Sequence, residues 1–163
     1  MNIKLIIADY KNTTQGEDLV RLLNEYATDK MGGGTPLSTD IKSNLVSELA
    51  KIPHAFSILC YVNGSPAGLA NCFIGFSTFK CRPLINIHDF IISSKFRGNN
   101  LSQKMLAKVE EVAIQKKCCK ITLEVLQGNL IAIAAYSKFG FSNFQLDSSF
   151  GNAMFLQKKI DNY

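Results

Sequence analysis

SKFRGNNLSQKM, residues 94–105, follows the apolar run Phe90, Ile91 and Ile92 and leads into apolar residues at helical spacing. A polar turn between a strand and a helix aims several backbone N–H groups at one place, and the helix dipole adds partial positive charge there. Those two features hold phosphate without any special side chain. Arg97 adds a planar, permanently charged donor, and no acidic residue interrupts the stretch. Gly98 supplies backbone freedom, whereas Asn100 and Ser102 stand where such turns often carry glycine. Asn tolerates the left-handed conformation best among the other residues, at a cost of about 1 kcal/mol or less. Ser102 suits a helix start as a cap or first-turn residue, and its hydroxyl can itself donate to a phosphate oxygen. Taken alone, the stretch reads equally as a phosphate cradle or as an ordinary capped turn.

Working outward, residues 3–8 (IKLIIA) read as a first strand, and Leu19, Leu22, Leu23 and Tyr26 recur at helical spacing over 15–29. MGGGTPLSTD (31–40) breaks that helix with a mobile turn, and Ser38, Thr39 and Asp40 are natural caps for a second helix, which Pro53 ends. AFSILCYV (55–62) reads as a strand, and Asn63-Gly64 as a hairpin turn needing positive φ at both residues. A Phe-rich strand then returns over 66–79, and LINIHDFII (84–92) forms another. Past the quoted turn, Leu101, Met105, Leu106, Val109, Val112 and Ala113 mark one face of a helix reaching about Lys117. KITLEVL (120–126) reads as a strand, and a short helix from about Gly128 and Asn129 closes at Gly140. Residues 141–146 and 152–160 read as two last strands. This order predicts one α/β (α+β) domain over 1–163, with a mixed sheet flanked by about four helices.

Composition narrows the function classes. The 163 residues suit one domain, and 47% apolar with 19% charged residues reads as globular. A net charge of +5 fits a polyanionic small molecule as well as nucleic acid, and neither a basic run nor an aromatic RNA-binding signature favours nucleic acid. Cys60, Cys72, Cys81, Cys118 and Cys119 are odd in number and form no CxxC. They read as free thiols in a reducing cytoplasm, with no metal site and no disulfide framework. The N-terminal apolar stretch is too short for a signal peptide, and no run reaches the ~18 apolar residues of a membrane span. A cytoplasmic protein without a membrane partner is the expectation.

DFIISSKFRGNNLSQKML (89–106) resembles the acetyl-CoA-binding motif of the GNAT superfamily of N-acyltransferases, Arg/Gln-x-x-Gly-x-Gly/Ala running into a helix. The pattern falls on Arg97, Gly98, Asn99, Asn100, Leu101 and Ser102, with Asn100 and Ser102 replacing its two glycines. A separate segment, NLIAIAAYSKFGF (129–141), resembles the family's Asn-x-x-Ala-x-x-x-Tyr-x-x-x-Gly-Phe at Asn129, Ala132, Tyr136, Gly140 and Phe141. LINIHDFIISSKFRG is also similar to a segment of polyamine acetyltransferases, over a short length.

The resemblance implies a mostly antiparallel sheet of six to seven strands, splayed between the strands at 84–92 and 120–126, with the pantetheine arm of acetyl-CoA in the gap. Its amides would pair with the backbone near Phe90, Ile91 and Ile92, with Asn129 also on the cofactor side. The pyrophosphate would rest on Gly98–Ser102 with Arg97 and Lys104 nearby. An amine acceptor (small amine, amino acid derivative or peptide N-terminus) would attack the thioester directly, and Tyr136 matches the family's general acid for the leaving thiolate. A core tyrosine is the competing reading of Tyr136. His88, Glu124 and Asp89, in that order, are the candidate bases, and His54 reads as a surface residue. His88 and Asp89 are neighbours on a strand and so face opposite sides unless a bulge re-aims them. The MGGGTP turn suits a lid over the acceptor. A homodimer through the last strands is compatible with the resemblance. The competing function is a non-catalytic acyl-CoA-binding or sensing module.

Overall fold

Asn63 and Gly64 hold φ of 49° and 82°, which turns β2 (Ala55–Val62) straight back into β3 (Ser65–Ser77). The computed structural model describes residues 1–160. Around this hairpin stand β1 (Ile3–Ile7), β4 (Arg82–Ile92) and β5 (Ile121–Leu123), in the spatial order β1-β2-β3-β4-β5. The first four pair antiparallel, and β5 pairs parallel to β4. The helices are α1 (Thr13–Thr28), α2 (Thr39–Leu49), α3 (Leu101–Gln115) and α4 (Leu130–Phe139). Met1–Leu126 forms one compact unit, and the chain from Gln127 onward forms a second.

In the first unit, α1 and α2 cover one face of the sheet. Leu19 and Leu22 of α1 and Leu49 of α2 pack there with Leu59, Leu69 and Ile91 of the strands. Asn12 and Ser38 cap the two helices through their side-chain oxygens, as the polar residues before each apolar pattern require. On α3, Leu101, Met105, Leu106, Val109, Val112 and Ala113 are buried, the face expected from their spacing. α3 packs against β2, β3 and β4. Gly68 of β3 makes that approach possible, because a Cβ there would lie 2.5 Å from Met105 Sδ.

The sheet has five strands among the described residues rather than six or seven. Residues 141–146 and 152–160 form no ladder; Ala153 donates one backbone hydrogen bond to the Phe144 carbonyl, at 2.9 Å. Residues 142–160 are exposed throughout, and strand propensity is realised only against a surface that buries the side chains. β5 is also shorter than expected, for a reason that lies in β4.

Candidate active site

β4 is irregular at His88. Leu69 pairs with Ile91 and Asn71 with Asp89, but Cys72 pairs with Ile87, so His88 is an extra residue in the ladder. Paired residues share a face. Leu69 and Ile91 belong to the core under α1 and α2, so Asn71 and Asp89 face the same helices. Phe73 also packs against that core, and the His88 ring stands edge-on to Phe73 with centroids 5.6 Å apart. The bulge therefore brings His88 and Asp89 onto one face, where strict alternation would have separated them.

Glu124 joins them. Asn86 pairs with Phe73 on one side and with Thr122 on the other, which puts all three on this face. Asn86 Nδ2 donates to Thr122 Oγ1 at 3.2 Å and to Glu124 Oε1 and Oε2 at 3.3 and 3.4 Å. The three candidate bases thus share one face of the sheet. His88 and Glu124 are exposed and Asp89 is half-buried. Tyr26 of α1 stands over the same face; burial and then the charges of Asp89 and Asp29 push its phenol above the ordinary range. His54 is exposed as expected, yet its ring lies 6.2 Å from Phe73, so two histidines flank one aromatic ring.

The bulge also ends the β5 ladder. β5 follows β4 only from Ile85↔Ile121 to Ile87↔Leu123, and no strand pairs with that edge of β4 from His88 to Ile92 among the described residues. Phe90, Ile91 and Ile92 lie on this opened edge, the place expected for a ligand's amides.

The turn after β4 has the backbone of an anion cradle. Ser94–Phe96 makes a 3₁₀ turn, Gly98 and Asn100 take φ of 81° and 56°, and α3 starts at Leu101. Asn100 occupies a left-handed position that glycine would fill at less cost. Its side chain makes no capping hydrogen bond to α3. Asn99 folds back instead, its Nδ2 donating to the Phe96 and Arg97 carbonyls at 3.0 and 3.4 Å. Ser102 lies in the first turn and is half-buried, and Lys104 is exposed.

Acidic groups missing from the turn's own sequence arrive from α1. Arg97 Nη2 meets Asp29 Oδ2 at 3.1 Å, and its Nε donates to the Ile92 carbonyl at 3.3 Å. The Ser94 N–H donates to Glu25 Oε1 at 2.7 Å. Burial pushes the Glu25 carboxyl up, but hydrogen bonds from Ser93 and Ser94 and the nearby Arg97 outweigh it, and the net result lies below the usual range. Asp29 is held low by the Met31 N–H and by Arg97.

In the second unit, Asn129 Oδ1 accepts from the Ala132 N–H at 3.2 Å and caps α4. Gly140 closes α4 at φ 111°, and the Gly140 and Phe141 N–H groups donate to the Tyr136 carbonyl. Tyr136 is buried and its ring stands edge-on to Phe141 at 5.9 Å. The motif residues therefore fold this helix as well as carrying any chemistry.

The cysteines are all free. Burial pushes Cys60 up to about 11, and burial followed by the Asp89 charge pushes Cys72 up to about 12, the opposite of an activated nucleophile. Among the described residues no group of three metal-binding side chains is present, and no helix is long and apolar enough to cross a membrane.

Sequence reasoning missed Tyr26, Asn71, Ser57 and Asn86. The available signal was a lone polar residue in an apolar strand, as in LANCF (69–73) and AFSIL (55–59).

An independent measure comes from similarity. Residues 16–141 match the model of the Acetyltransferase (GNAT) family. The chain is 28% identical over 139 residues to the thialysine N-epsilon-acetyltransferase of Bos taurus, covering 85% of this chain and 76% of that protein. It is 38% identical over 60 residues to the spermine/spermidine N(1)-acetyltransferase of Bacillus subtilis (strain 168), covering 36% of this chain and 40% of that one. In fold it is similar to an integron cassette protein from V. cholerae, with a TM-score of 0.79, 18% identity, and 99% and 94% of the two chains covered. With a five-stranded sheet that loses its fifth strand at a bulge, a left-handed turn into α3, and a family match running through both, the chain belongs to the Acetyltransferase (GNAT) family.

Proposed function

We propose that this chain acts as one domain that transfers the acetyl group of acetyl-CoA to a primary amine. The observation that carries the reading is the β4 bulge, which gathers His88 and Asp89 on one face with Glu124 and opens the neighbouring edge at the same residue. The turn at Gly98–Ser102 suits a pyrophosphate because two left-handed residues, Gly98 and Asn100, lead into a helix start that the Asn100 side chain does not cap.

Acetyl-CoA supplies an activated thioester. Phe90, Ile91 and Ile92 would hold its amides along the opened edge, and Gly98, Asn99, Asn100, Leu101 and Ser102 its pyrophosphate, with Asn129 as a further cofactor-side residue. The acceptor must be unprotonated to attack, and His88 accepts the proton lost by the amine, directly or through water. Asp89 and Glu124 draw a cationic amine to this face. Backbone N–H groups on the opened edge of β4 stabilise the oxygen on which charge develops. Tyr136 gives its phenolic proton to the departing thiolate as the C–S bond breaks. The relatives' names carry a lysine analogue and polyamines, all primary amines, which supports this acceptor class.

Calorimetric titration with acetyl-CoA, followed by assay of CoA release with thialysine, spermidine and a peptide with a free N-terminus, tests the proposal. The expected result is saturable binding and turnover with at least one amine. Tyr136→Phe should bind acetyl-CoA within about twofold of wild type and turn over about a hundredfold more slowly. Tight binding with no turnover on any amine would favour the acyl-CoA-binding module instead.

A further inference from the structure

A line of hydrogen bonds crosses four elements and ends on Asp89. The Tyr10 hydroxyl meets Ser57 Oγ at 2.9 Å, Ser57 Oγ donates to Asn71 Oδ1 at 2.7 Å, and Asn71 Nδ2 donates to Asp89 Oδ2 at 2.9 Å. Tyr10 lies in the turn before α1, Ser57 on β2, Asn71 on β3 and Asp89 on β4. Ser57 and Asn71 are 0% and 2% exposed, so neither can turn to water for another partner.

The chemistry fixes the direction of the line. A carboxylate only accepts, so the Asn71 amide must present its NH₂ to Asp89 and its oxygen to Ser57. Ser57 then spends its proton on Asn71 and must accept from Tyr10. Every donor points toward Asp89, and bonds aligned this way polarise one another. The amide in the middle does not pass a proton as a hydroxyl or a water would, so the line orients and does not conduct. It also sits at the register shift between Asn71 and Cys72, opposite the bulge that carries His88.

We propose that Asn71, Ser57 and Tyr10 are positioning residues of the acceptor site, holding the Asp89 carboxylate beside His88. This rests on the reading of Asp89 as part of that site. Asp89 has one hydrogen-bond partner among the described residues, Asn71, so its aim depends on this line. A bulge frees a strand from regular alternation, and a side chain on it needs an anchor from outside its own backbone. Asn71 on the adjacent strand is that anchor.

The test uses the full chain and the amine of the panel with the highest kcat/KM. Ser57→Ala and Tyr10→Phe should raise the acceptor KM about tenfold and threefold respectively, with acetyl-CoA affinity by calorimetry unchanged within about twofold. Ser57→Thr should restore most of the loss. In NMR spectra, the Asn71 side-chain amide should shift in Ser57→Ala and in Asp89→Asn with no ligand present, a readout that does not depend on turnover. A folded Ser57→Ala protein with wild-type KM, while Asp89→Asn raises KM, would overturn the inference and leave the function standing. Asp89→Asn with wild-type KM would overturn the placing of Asp89 at the acceptor, and the inference with it. An Asn71 amide signal indifferent to both substitutions would show that the line does not form.

Discussion

His88 owes its position to one inserted residue. Without the shift between Asn71↔Asp89 and Cys72↔Ile87, His88 and Asp89 would face opposite sides of the sheet, and they would not meet on the face that carries the Phe73 ring. His88→Gln keeps size and hydrogen bonding but loses the proton acceptor. The expected loss in kcat is a hundredfold or more, of the order general-base removal gives, with acetyl-CoA binding unchanged by calorimetry. A loss below about threefold would move the base to Glu124 or Asp89. At this scale the sequence was partly legible. Asn100 was read as the best substitute for a left-handed glycine, and it sits at φ 56°. The nearness of His88 and Asp89 was not legible, because LINIHDFII contains no glycine or proline to mark a bulge and the shift arises from pairing with β3.

Among the elements, the contact between the end of α1 and the turn before α3 matters most. Asp29 closes α1, caps the next 3₁₀ turn through Met31, and also holds Arg97. Arg97 can serve a phosphate only by sharing or leaving that carboxylate. Asp29→Asn should therefore tighten CoA binding by about two- to fivefold, the size of an exposed ion pair, with the gain largest at low salt. Calorimetry at two salt concentrations checks it, and weaker binding in the variant would mean that Asp29 instead orients Arg97 for the ligand. Reading residues 94–105 alone could not foresee this, because Glu25 and Asp29 reach the turn across 69 and 68 positions of sequence. The hairpin at Asn63-Gly64 and the buried face of α3 were legible because each depends on neighbours within a few residues.

Over the whole molecule, local pattern predicted the order of elements through α4, and it failed for the last strands. Residues 141–146 and 152–160 read as strands, but from residue 142 to 160 every side chain is exposed in the structure. The shortening of β5 also has a non-local origin: its ladder ends at Ile87↔Leu123, and β4 bulges at the next residue, His88, so Glu124, Val125 and Leu126 have no partner on that edge. One irregularity in β4 thus puts His88 and Asp89 on one face and lies where the β5 ladder ends, leaving the edge from His88 to Ile92 unpaired by any strand among the described residues. A crystal structure of the CoA complex measures this most directly. The account predicts pyrophosphate oxygens on the N–H groups between Gly98 and Ser102, and the thiol at the β4 edge beside His88 on the face that carries Asp89. A coenzyme bound elsewhere, or a thiol on the α3 side of the sheet, would contradict it.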